Sequence, residues 1–110
     1  AEGLVVSAVI PFNDMLARTA KDLAQEASPF TDAEIVQFCS SVLAWQMVTE
    51  EAGQLSFCPL SIAIFVTQKE PGKVMLAYRS PGRDSPGRAK ADDLLRRLAA
   101  RTAELARLRW

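Results

Sequence analysis

Residues Leu60 to Thr67 read Leu-Ser-Ile-Ala-Ile-Phe-Val-Thr behind Pro59, an almost continuously apolar run. Such a run reads as a central strand covered on both faces. Glu70-Pro71-Gly72-Lys73 follows it. Proline at the second turn position presets φ, and glycine at the third takes the positive φ of a type II turn. Val74-Met75-Leu76-Ala77-Tyr78 then returns as the partner strand. A hairpin with a covered face needs helices or a second sheet to cover it, and the chain offers helices.

Leu4 to Ile10 is rich in β-branched residues between Gly3 and Pro11. It reads as a strand rather than a signal peptide, because no basic stretch precedes it and no small-residue cleavage pattern follows. From Phe12 the period changes. Phe12, Met15, Leu16, Thr19, Ala20, Leu23 and Ala27 fall on one helical face, and Ser28-Pro29 stops the helix. Thr31-Asp32-Ala33-Glu34 has the form of a capping box, which would start a helix running to Glu51. Glu34 to Cys39 is strand-like in composition, with Ser40 as a second N-cap, and periodicity leaves both readings open. Ser41 to Ala52 is helical, with Gly53 as its C′ residue.

The segment Ser80-Pro81-Gly82-Arg83-Asp84 is nearly repeated as Ser85-Pro86-Gly87-Arg88-Ala89. Two prolines and two glycines in ten residues read as a flexible linker over 80–91. Residues 92–110 then form an amphipathic helix with a stripe through Leu94, Leu95, Leu98, Thr102, Leu105 and Ala106. The expected organisation is one α+β domain over 1–79, the linker, and a C-terminal helix packed on the domain or on a dimer partner.

With 110 residues, one core buries roughly two-thirds of the chain's surface. No apolar run approaches the roughly 20 residues that span a bilayer. Histidine is absent, which removes the commonest general base and metal ligand. The five glycines show no phosphate-loop or dinucleotide spacing. The chain therefore leans away from enzymes.

Charge is unevenly spread. Residues 1–78 hold four Lys/Arg and nine Asp/Glu, and residues 79–110 hold nine and four, so net charges of minus five and plus five cancel. Nucleic-acid contact would use Arg83, Arg88, Lys90, Arg96, Arg97, Arg101, Arg107 and Arg109. The pI near 6.5 and the lack of interleaved aromatic residues argue against nucleic acid as a partner.

Cys39 and Cys58 are the only cysteines. Three readings stand: ordinary buried thiols, a disulfide if their Cα atoms come within about 7 Å, or a reactive pair able to hold a soft metal such as Cu(I). No cofactor is otherwise expected. Ser40, at the helix start beside Cys39, and Trp45 complete the candidate ligand or thiol site. Phe30, Phe38, Phe57, Phe65 and Tyr78 are further candidate pocket walls. Leu94, Leu98, Leu105 and Trp110 are the candidate dimer or partner contacts. With two cysteines, both bacterial cytoplasm and periplasm fit.

Val36-Gln37-Phe38-Cys39-Ser40-Ser41, a helix, and then Leu55-Ser56-Phe57-Cys58-Pro59-Leu60 followed by the apolar strand resemble a bacterial family known as domain of unknown function 302. Pro71 to Arg79 is similar to its closing strand. The resemblance implies a curved antiparallel sheet backed by helices, of the TATA-binding-protein-like kind, often in a homodimer. It favours a strand over 34–39. It implies no biochemical role, so the expected function is a non-catalytic, homodimeric domain binding a ligand or partner, with the cysteine pair as the alternative.

Overall fold

A computed structural model describes residues 4–109. The elements are β1 (Leu4–Ile10), α1 (Phe12–Ala20), β2 (Phe30–Ser40), α2 (Ser41–Glu50), a short 3-10 helix (Ala52–Phe57), β3 (Leu60–Thr67), β4 (Met75–Tyr78) and α3 (Pro86–Arg109). The four strands form one antiparallel sheet in chain order, which makes the chain an α+β protein.

The apolar run is β3, an interior strand as its composition requires. Its register pairs Phe38 with Leu60, Val36 with Ile62, Ile62 with Tyr78 and Ile64 with Leu76. Because side chains alternate across a strand, these residues share one face. The helices cover it: Met47 of α2 and Ala91, Leu94 and Leu95 of α3 pack with Phe38, Leu60 and Ile62 into the buried core. Full burial of one leucine is worth about 1.5–3 kcal/mol, so Leu94 and Leu95 make α3 part of the domain.

The capping-box helix at Thr31 does not form. Residues 30–40 are one long strand, and the Thr31 hydroxyl donates to Val66 O at 3.3 Å instead of capping a helix. Pairing on both sides, with β1 and β3, outweighs a local cap. The helix expected over 12–27 stops at Ala20. Ala24 adopts a positive φ of 56°, and Ser28, which donates to Asn13 Oδ1 at 2.6 Å, brings the chain back toward α1. No α1 residue is buried, and Met15 and Leu23 are 42% and 66% exposed. The β3–β4 turn closes with Lys73 N–H donating to Glu70 O at 3.1 Å. Gly72 does not take the positive φ that a type II turn would need.

The expected linker over 80–91 is half helix. α3 starts at Pro86, with the Ser85 hydroxyl accepting from Arg88 N at 3.2 Å. Serine as N-cap and proline at the first helical position are both favoured there. The proline that suggested a flexible spacer is the start signal of the helix. Glu50, at the end of α2, reaches across to accept from Gly87 N at 2.8 Å and from the Ser85 hydroxyl at 2.6 Å. A Cβ on Gly87 would lie 2.7 Å from Glu50 Oε1 and 3.0 Å from Met47 Cγ, so this glycine lets α2 and α3 approach. These contacts with an anion at the helix N-terminus hold the Glu50 carboxyl down at about 2, the Ser85 hydrogen bond contributing most.

Candidate functional site

The helices do not cover the sheet completely. A groove of about 200 Å³ remains between the sheet and the second half of α3. β1 contributes Leu4 and Val6, β2 Val36 and Phe38, β3 Ile62 and Ile64, and α3 Leu98 and Thr102. Thr102 is the one polar lining residue, and its hydroxyl donates back to Leu98 O at 2.7 Å. The groove therefore presents hydrocarbon and no free hydrogen-bonding side chain.

It opens beside β1, which pairs only with β2 and forms an edge of the sheet. Val5, Val6 and Val9 are 66%, 60% and 52% exposed. The strand Leu-Val-Val-Ser-Ala-Val-Ile holds no charge and no proline, the usual devices that protect an edge from pairing. Its one irregularity is a bulge between Val6 and Ala8.

The four residues of the expected thiol site have different surroundings in the fold. Both cysteines are free and half-buried. Phe38 and Ser40 are buried on the helical side of β2, so alternation turns Cys39, opposite Val5, to the other face. Cys58 packs against the helical-face core. The two thiols do not form a pair. Burial pushes the Cys58 thiol up, with a smaller push from Cys39. That works against the thiolate that nucleophilic or metal chemistry requires. No group of three or more His, Cys, Asp or Glu among the described residues is placed to hold a metal. Ser40 caps α2 by accepting from Leu43 N at 3.5 Å, and Trp45 faces solvent at 73% exposure.

Of the expected contact residues, Leu94 is core and Leu98 lines the groove. Leu105 and Trp110 lie outside the residues whose side chains are described, as do Arg107 and Arg109. Several of the remaining cations are engaged locally. Arg83 bonds both Asp92 and Asp93, Arg96 sits 3.1 Å from Asp92, Arg88 is 3.5 Å from Asp84, and Lys90 donates to Gln46. The hydrogen bond that Arg83 donates to Asp93 is foremost in raising its already high pKa further.

This architecture can be set beside known proteins. The family model for domain of unknown function DUF302 matches residues 1–106. The chain belongs to DUF302. The match covers every strand and nearly all of α3, so the groove and the β1 edge lie within the DUF302 domain. No curated protein and no solved structure matches this chain. No helix among the described residues is long and apolar enough to cross a membrane.

Of the groove residues of this DUF302 chain, Leu98 was expected as a partner contact and Phe38 as a pocket wall, while the other six were not singled out as a site in the sequence. Leu4, Val6, Val36 and Ile64 read there as ordinary strand positions. The available signal was the uncharged β1: an edge strand normally carries a lysine, a proline or an inward charge, and this one carries none.

Proposed function

We propose that this chain is a non-catalytic binding domain working as a homodimer, its two copies joined along β1 and over the adjoining groove. The observation that carries the reading is the uncharged, open edge of β1, with three exposed valines beside an apolar groove. A strand can pair antiparallel with its own copy about a two-fold axis, giving an isologous contact that closes on itself. It would join two four-stranded sheets into one.

Area supports a partner of this size. The chain exposes 7714 Å², whereas a compact monomer of this mass exposes about 6,000 Å². A standard interface takes about 800 Å² from each partner, well within that excess. The radius of gyration, 16.1 Å, exceeds the roughly 13 Å of a compact chain of this length.

Light scattering with size exclusion tests the reading. The expected mass is twice the 12.0 kDa of the chain, falling to one chain in Val6→Lys with unchanged circular dichroism. A single-chain mass for the parent protein across the micromolar range, or a dimer that Val6→Lys leaves intact, contradicts it. Neither the thiol pair nor nucleic-acid contact has a comparable observation in its favour.

A further inference from the structure

Another concavity lies where β3 begins and β4 ends. It has a volume of about 330 Å³ and is bounded by Phe57, Pro59, Leu60 and Pro81, with Ser56, Ser61 and Arg79 supplying the polar groups. Extending the β3–β4 register one step beyond the Ile62–Tyr78 pair sets Arg79 opposite Ser61, and both residues line the cleft.

Arg79 differs from the cations around it. Arg83, Arg88 and Arg96 each bond a carboxylate, whereas Arg79 has no acidic or hydrogen-bonding partner among the described residues, and no acidic side chain lines the cleft. The hydroxyls of Ser56 and Ser61 make no hydrogen bond there either. The walls, in contrast, are held. Arg88 stacks 4.7 Å over the Phe57 ring and its Nε donates to Pro81 O at 2.6 Å. One arginine thereby fixes two facing walls in advance, and such preorganisation lowers the cost of binding.

We propose that this cleft is a binding site for a small organic monocarboxylate with a compact apolar body. The Arg79 guanidinium would take the carboxylate through its planar fork, the two serine hydroxyls would donate to the same oxygens, and the body would lie between Phe57, Pro59 and Pro81. A single open cation balances one negative charge, and the apolar walls favour a carboxylic acid over a bare inorganic anion. The fork geometry of arginine suits carboxylate in particular. The volume is at the small end of ligand pockets, which limits the body to about one ring or a short branched chain. Arg88 acts as a positioning residue. The proposal does not depend on dimer formation, since β1 contributes nothing to the cleft.

The experiment is an amide-resolved NMR titration of the full chain with benzoate, benzamide and inorganic phosphate as probes. Benzoate is expected to give saturable shifts clustered at residues 56–61 and 79. Benzamide, which lacks the charge, should bind at least about tenfold more weakly, as should benzoate to Arg79→Gln. Arg88→Gln is expected to weaken benzoate while leaving the Arg79 signals folded and present, because the walls lose their clamp. Equal binding of benzoate to Arg79→Gln, scattered non-saturating shifts, or phosphate binding the cleft as tightly as benzoate would each overturn the proposal. A monomeric mass alongside a normal benzoate titration would sink only the dimer reading.

Discussion

The Ser80 hydroxyl donates to the Asp92 carboxylate across 2.6 Å, joining the first Ser-Pro-Gly-Arg copy to the first turns of α3. The second copy does the same with another helix, Ser85 donating to Glu50 at 2.6 Å. Each serine also accepts a backbone N–H, from Gly82 and from Arg88. Each arginine has a fixed place, Arg83 on Asp92 and Asp93, and Arg88, in the first turn of α3, on Phe57 and Pro81. The duplication is a pair of similar clasps that hold α3 against the domain and shape the Arg79 cleft.

Asp92 is 1% exposed and serves Ser80, Arg83 and Arg96 at once. Asp92→Ala takes this acceptor from Ser80 and Arg96 and leaves Arg83 with Asp93 alone, and a loss of roughly 5–10 °C in Tm is expected for a broken buried network in a chain of this size. Asp84→Ala removes a carboxylate whose pairing with Arg88 is solvent-exposed and should move Tm by no more than about 1–2 °C. Calorimetry of both variants checks the contrast, and equal effects would show that Asp92 is no hub.

Gly87→Ala forces a methyl group against Glu50 and Met47. The α2–α3 contact must open, at a cost of about 1–3 kcal/mol. At Gly72 a Cβ meets nothing within 4 Å, so Gly72→Ala should be neutral within about 0.5 kcal/mol. Urea denaturation of the two variants makes the comparison.

The Glu50 carboxyl lies at about 2 in the fold against an ordinary 4.5. A depressed folded value means that the ionised form is the one the fold prefers. Its contribution is complete above pH 4.5 and is lost as pH falls from there toward 2. Asp92 and Asp93 are lowered as well, chiefly by the Ser80 and Arg83 hydrogen bonds respectively. Tm should therefore fall between about pH 5 and pH 2, and fall less steeply in Glu50→Gln. A parallel decline in the two proteins would remove Glu50 from the explanation.

Both thiols should be found reduced, and they should differ. Burial raises the Cys58 pKa, so less of it is thiolate at any given pH, and iodoacetamide at pH 8 should modify Cys39 first. Peptide mass spectrometry over time reads the order. Modification of Cys58 first, or a mass two hydrogens short before reduction, would contradict this placement.

The strand periodicities, the β3–β4 hairpin and the amphipathic stripe of α3 were legible because each is a local pattern that burial enforces. The stretch from Phe30 to Cys39 was legible as a strand only through the family resemblance, which favoured one over 34–39, since Thr31 and Glu34 spell a local cap while the hydrogen bonds that decide the matter come from strands β1 and β3. The start of α3 was misread for a related reason: Pro86 and Gly87 weaken a helix in isolation, yet here Ser85 and Glu50 cap it and Gly87 fits against Met47. The candidate sites were least legible. Cys39 and Cys58 attract notice by type, but both are free, half-buried thiols that do not form a pair. Arg79 reads in the sequence as one arginine among many, and only the fold shows that Asp92, Asp93 and Asp84 engage its neighbours Arg83, Arg88 and Arg96.

Hydrogen exchange at β1, compared between dilute and concentrated protein, tests the dimer most directly. If the open edge pairs with a second copy, the β1 amides that do not bond to β2 should become protected as concentration rises, and Val6→Lys should abolish that gain. Fast exchange of those same amides at every concentration, with the rest of the sheet protected, would mean that β1 is a free edge and that the copies do not meet there.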